Sequence, residues 1–373
     1  MDRETLLTAH RVVIKVGSAV LTDEYGLDRT VIADLTSQIV GLNRSGLQVI
    51  LVSSGAVAAG RARLSRKREP KSMPEKQALA AVGQGRLLHA YEKEFEGHGV
   101  NVAQILLTRN GLISRQSFVN AKNTISTLLK WKILPIVNEN DTVATEELQF
   151  TDNDSLAVLI VNLIEADLLV CLSDVDGLYD QNPWEFSSAR RISRIDGIDD
   201  SVLAMAGEGA GRAGRGGMKS KLEAARMAGE CGVPMLIAGG RTKRVLTRLF
   251  AGEDLGTLFV PGRQKKIYGR RPWILFTLAR EGVLELDTGA SRALLEKGKS
   301  LLPVGIKKVR GDFQEGACVL CKDSAGNEVA VGIVNYRSED LKMIQGCRSS
   351  EIWSRLGYQG KEEVIHRDNL APL

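Results

Sequence analysis

Apolar and polar positions alternate along the first two thirds of the chain in a repeated strand-then-helix order. The run RVVIKV at 11–16 is rich in β-branched residues and stops at Gly17, as a buried strand does. Asp28 stands where a helix N-cap belongs; Val31, Ile32, Leu35, Ile39 and Leu42 recur at helical spacing, and Gly46 closes the segment. A second apolar run, QVILV, then ends at Ser53-Ser54-Gly55. Two strands joined by a helical crossover lie parallel. The same alternation predicts helices over 75–95, 116–130 and 154–165, strands over 102–107, 133–137, 168–172 and 234–238, and a helix leaving the glycine-rich stretch at 207–221. The expected class is α/β, with helices around a mainly parallel sheet.

Polar residues gather where these strands end. Lys15-Val16-Gly17-Ser18, Ser53-Ser54-Gly55, Asn138-Glu139-Asn140-Asp141, Ser173-Asp174 and Gly239-Gly240 each close one apolar run. Carboxyl ends of parallel strands share one sheet edge, and open α/β sheets bind ligands there. Any single corner of this kind reads equally well as a turn or a cap. Five of them on one edge predict a polar crevice.

The stretch GEGAGRAGRGGMKSK at 207–221 leads into SKLEAARMAG, whose composition favours helix. A helix entrance without bulky side chains presents free N–H groups and the positive dipole end, and Lys219 and Lys221 add charge, which suits a phosphate. A surface loop is the alternative reading. Gly209, Gly211 and Gly214 spell G-x-G-x-x-G, but the upstream DDSVLAMAGE reads as helix rather than strand, which argues against a dinucleotide site. Met218 separates Gly217 from Lys219, so the P-loop pattern is absent as well.

Length and charge narrow the class. The 373 residues allow about two domains. Hydrophobic residues make up 43% and charged residues 25%, as in ordinary globular proteins. MDRETLLTAH has no signal-peptide core, and LAVLIV at 156–161 is too short to span a bilayer. Five cysteines without a repeated spacing suit a reducing cytoplasm, and a net charge of +5 suits anionic ligands. Beyond Thr257 the pattern changes to a basic linker, 261–280, with strand-like WILFTL inside it. From 281 to 373 come short alternating strands, with a turn at Ala325-Gly326-Asn327, which predict a small β-rich domain. Residues 1–260 form the first domain in this reading. Cys318 and Cys321 sit three apart on one strand and point to opposite faces, a poor arrangement for a metal.

The acidic cluster comes in two pieces, Asn138–Asp141 and Asp152-Asn153-Asp154. Such groups could ligate Mg²⁺ or recognise an ammonium group, while Asp152 or Asn153 could equally cap the helix at 154. Lys15 and Lys221 would bring positive charge from two sides; a strand-end lysine is otherwise a snorkelling edge residue. Phosphoryl transfer asks for positioning and charge neutralisation, and a carboxylate acceptor needs no general base. His10, His89, His98 and His366 all lie outside the strand-end motifs, in keeping with that chemistry.

The segments IKVGSAVLT, VSSGAVAAGR, KQALAAVGQ, IVNENDTVA, DNDSLA, LSDVDGLYD, GGMKSKLEAA and VIHRDN together resemble the glutamate 5-kinase family over almost the whole chain. The resemblance implies an amino-acid-kinase domain, an α/β/α sandwich, followed by a small PUA-like domain. It implies that Lys15 and Lys221 stabilise the transferring phosphoryl group and that Asp154 orients them. Ser54, Asp141 and Asn153 would hold L-glutamate, with Asn138 and Asp152 nearby. Ser173, Asp174 and the segment Arg215, Gly216, Gly217, Met218, Lys219, Ser220 and Lys221 would contact ATP, with Mg²⁺ held mainly through the ATP phosphates. A homo-oligomer and feedback inhibition by proline are expected. RNA is not expected as the main partner, because the tail lacks interleaved aromatic and basic residues. Arg215, Ser220 and Ser173 depart from the family's pattern, which has threonine at each place.

Overall fold

In the computed structural model, the described residues are 3–373 apart from 67, 109–111, 113–114, 144–152, 184, 206–216, 263–273 and 275–279. Strand β1, Arg11–Val16, lies inside a sheet that also contains β4 (Gln48–Ser53), β5 (Val102–Leu107), β6 (Leu134–Glu139), β7 (Leu168–Ser173), β8 (Arg194–Asp196), β9 (Met235–Gly239) and β10 (Thr257–Val260). A small hairpin, β2 (Thr22–Asp23) with β3 (Gly26–Leu27), stands apart from it. The order across the large sheet is β5-β6-β4-β1-β7-β9-β10-β8. The first six in that order are mutually parallel, while β10 runs antiparallel to β9 and carries β8 parallel to itself.

Side chains of β1 alternate between two apolar layers. Val12, Ile14 and Val16 join one core with Ile32, Leu35, Leu87 and Tyr91, from the helices Arg29–Arg44 and Met73–Glu96. Lys15 points the other way, towards the helix Asn153–Ile164. The sheet is therefore sandwiched between helical layers, as the period-2 pattern of a doubly covered strand requires. Local signals set the helix ends. Asp28 accepts a hydrogen bond from the Val31 amide at 3.2 Å, and Ser72 caps the longer helix with Pro74 in its first turn. That helix starts two residues ahead of the expected 75.

Strands also run further than the apolar pattern predicts. Asn138 and Glu139 pair with Leu106 and Leu107, and Ser173 pairs with Gly239, so these polar residues belong to the strands themselves. Backbone pairing with a neighbour, rather than side-chain hydrophobicity, decides where a parallel strand stops. No described helix is long and apolar enough to cross a membrane.

The chain divides into two compact units, Met1–Lys266 and Ile267–Leu373. In the second unit β11 (Arg280–Leu286), β12 (Ile306–Gly311), β13 (Cys318–Lys322), β14 (Glu328–Ile333) and β15 (Leu370–Pro372) form a sheet in the order β12-β11-β13-β14-β15. Leu284, Leu286, Val319, Cys321, Leu341 and Ile365 are among its core residues. The turn between β13 and β14 falls where the sequence puts it: Asp323 accepts from the Ala325 and Asn327 amides at 2.9 Å each, and Gly326 takes φ 88°. Of the strand-like WILFTL only Ile274 is among the described residues, so that expectation lies outside them.

Candidate active site

Five adjacent strands, β6, β4, β1, β7 and β9, deliver the five polar corners to one edge. Backbone hydrogen bonds stitch the corners together. The Ser54 amide donates to Val16 O at 3.1 Å, Gly17 to Leu172 O at 3.1 Å and Gly240 to Ser173 O at 2.7 Å. Gly55 follows β4 at φ 106°, a left-handed turn that lets the chain enter the helix Ala56–Arg63 directly from the strand end.

At the middle of the edge, Asp154 is 1% exposed in the first turn of Asn153–Ile164. Its carboxylate forms ion pairs with Lys15 Nζ and, at 3.5 Å, with Lys221 Nζ. Ser220 Oγ donates to it at 3.4 Å and Cys171 Sγ at 3.3 Å. Lys15 and Cys171 are register partners on β1 and β7, so both reach the face where Asp154 sits. Burial by itself would raise the Asp154 pKa, but the charges of Lys15 and Lys221 and the hydrogen bonds from Lys15 and Cys171 outweigh it and hold the carboxyl below its ordinary value. Burial pushes the Cys171 thiol up to about 12, with the Asp154 charge acting in the same direction, so the thiol keeps its proton and donates it. Lys15, at 4% exposed on an interior strand, is not the snorkelling edge residue of the alternative reading.

Towards β4 and β6 lies a carboxamide network. Asn153 Nδ2 donates to Ser54 Oγ at 2.8 Å, to Ser53 O at 3.0 Å and to Asn138 Oδ1 at 3.0 Å. Asn138 Nδ2 in turn donates to Gln84 Oε1 at 2.7 Å, and Asp141 pairs with Lys76 at 3.4 Å. Lys76 and Gln84 are additions to the sequence-derived set. Their signal was the segment KQALAAVGQ, in which they stand eight apart and so share a helix face.

Towards β7 and β9 the corner is formed by Ser173, whose Oγ donates to Asp174 at 2.9 Å, and by Gly217 and Met218 at the start of the helix Met218–Glu230. Ser220 Oγ also donates back to Gly217 O at 3.0 Å. Lys219 is exposed whereas Lys221 is 5% exposed, because positions two apart on a helix diverge. Asp152, Arg215 and Gly216 lie outside the described residues. Among the described residues no three His, Cys, Asp or Glu side chains converge as a metal site.

Comparison with known proteins gives the family. The model of the amino acid kinase family matches residues 10–239, and that of the PUA domain matches 282–356. A glutamate 5-kinase of Desulfotalea psychrophila is 50% identical over 374 aligned residues, covering 100% of this chain and 99% of its own. One from Syntrophus aciditrophicus is 48% identical, covering 100% and 97%, and one from Thermus thermophilus is 49% identical, covering 98% of both chains.

Proposed function

The chain belongs to the amino acid kinase family, and from that premise we propose that it transfers the γ-phosphoryl group of ATP to the side-chain carboxylate of L-glutamate. The product is L-glutamyl 5-phosphate, and the reaction is the first step of proline biosynthesis. The observation that carries this reading is the buried Asp154 shared by two lysines, with a carboxamide wall on one side and a helix entrance on the other.

A glutamate carboxylate, with an ordinary pKa of about 4.3, arrives ionised at neutral pH, so the site has no proton to remove. Its task is to bring two anions together. Lys15 and Lys221 neutralise charge on the migrating phosphoryl group, and Asp154 holds both ammonium groups so that little reorganisation is needed during transfer. Ser54, Asn153, Asn138 and Asp141 hold glutamate on the β4–β6 side. Ser173, Asp174 and residues 215–221 take the nucleotide on the β7–β9 side, where the first amides of Met218–Glu230 suit phosphate oxygens. Mg²⁺ would be held mainly through the ATP phosphate oxygens and water, where it would add to the charge neutralisation that the two lysines supply. Catalysis falls to residues 1–260 and the PUA-like fold to 281–373, in a cytoplasmic homo-oligomer in which proline competes for the glutamate pocket.

The test is acyl phosphate formation, trapped as hydroxamate, with L-glutamate, L-aspartate and N-acetyl-L-glutamate as acceptors. L-Glutamate is expected to be preferred, proline to raise its apparent KM, and Lys221→Ala to lower kcat by about 10²–10³-fold. A preference for either other acceptor would overturn the assignment.

A further inference from the structure

We infer that Lys76 takes the α-carboxylate of the acceptor, beside Asp141, which takes its α-ammonium. The inference rests on the glutamate reading above and names the charges that separate an α-amino acid from other carboxylic acids.

Lys76 stands in the first turn of the helix Met73–Glu96, with Nζ 3.4 Å from Asp141 Oδ1. Both side chains are mostly covered, at 19% and 13% exposed. The same helix face carries Gln84, whose carbonyl accepts from Asn138, so one rigid element holds two polar groups against the acceptor wall. A free α-amino acid presents a positive and a negative group on one carbon. A lysine and a carboxylate held side by side are its complement, each able to turn from the other towards the ligand. Asp141 alone would accept any amine; Lys76 adds the demand for a neighbouring anion.

Position along the sheet agrees. Asp141 follows β6, and β6 is separated from β1 by β4 alone, a span of about 10 Å at the usual strand spacing. A glutamate anchored by its α-carbon groups at β6 directs its side-chain carboxylate towards Lys15. Between the two ends lie Ser54 and Asn153, joined by their 2.8 Å hydrogen bond.

The experiment compares wild type, Lys76→Met and Lys76→Arg in the full chain, with L-glutamate and with its α-amide, L-isoglutamine, which keeps the ammonium and the side-chain carboxylate. Lys76→Met is expected to raise KM for L-glutamate by about 10–100-fold while kcat and KM for ATP change less than about threefold. Lys76→Arg should restore most of the loss. The preference of wild type for L-glutamate over the α-amide should shrink by the same factor in Lys76→Met, because the amide offers no anion to lose. An unchanged KM for L-glutamate, or an equal loss with both acceptors, would overturn the inference. The KM shift decides alone if the α-amide is too slow to assay, and Lys76→Gln carries the comparison if Lys76→Met melts early. Wild type inactive on L-glutamate would instead remove the assignment of the acceptor, a separate result.

Discussion

Asp154 is the residue on which the electrostatics of the cleft depend. Its depressed pKa means that the folded state binds a proton there less readily than the unfolded chain does. The stabilisation is therefore complete above the ordinary carboxylate range and is lost as pH falls through the lowered folded value. Asp154→Asn removes the charge that Lys15 and Lys221 share, and is expected to destabilise the fold by about 3–5 kcal/mol at neutral pH. Urea unfolding from pH 8 downwards should show that gap constant until about pH 4 and shrinking below it; a gap that grows on acidification would contradict the assignment. At this scale much was legible in advance. Lys15 and Asp154 stood out as charged residues next to apolar runs, and Lys221 as a charge at a helix entrance. What the chain could not announce was Cys171, read as one more apolar strand residue, whose thiol proves to donate to Asp154. A strand sequence shows which residues share a face, but not which side chain comes to cover that face.

Two helices, Ala56–Arg63 and Met73–Glu96, cross with their backbones almost touching. A Cβ on Gly83 would lie 1.8 Å from Ala56 O, and one on Gly60 would lie 1.9 Å from Leu79 O. Neither position can take a methyl group unless the helices separate, and both helices lead to the carboxamide network, through Ser54-Gly55 and through Gln84. Gly83→Ala is expected to cost about 1–3 kcal/mol from overpacking and to raise KM for L-glutamate. Gly85, two residues on, is exposed with nothing within 4 Å, so Gly85→Ala should stabilise by about 0.5–1 kcal/mol through helix propensity. Thermal unfolding of the two variants checks the contrast; equal shifts would refute the crossing. From the sequence, these three glycines are indistinguishable interruptions of helical patterns. Only the partner helix tells them apart, because close approach is a property of two elements.

All the described residues of the proposed site lie within Met1–Lys266, which buries its own core. That fragment is expected to fold alone and to form acyl phosphate with a kcat/KM within about tenfold of the full chain; an unfolded fragment by circular dichroism would show that the tail is needed. The sequence by itself determined the type of the longer elements, the mainly parallel direction of the sheet and the polar character of its edge, while the short helix Ala56–Arg63 and the short strands β2, β3, β8 and β10 gave no such signal. It could do so because apolar periodicity, caps and turn residues act over a few neighbouring positions. The placing of β1 between β4 and β7, with the Asn138–Asn153 carboxamide network on one side and the Ser173–Gly217 corner on the other, was decided by the tertiary structure. So were the antiparallel pairing of β10 with β9 and the meeting of Lys15, Asp154 and Lys221, which stand far apart along the chain. Strand order follows from which long crossovers bury the most surface together, and that is a sum over the whole fold which no local stretch of residues contains.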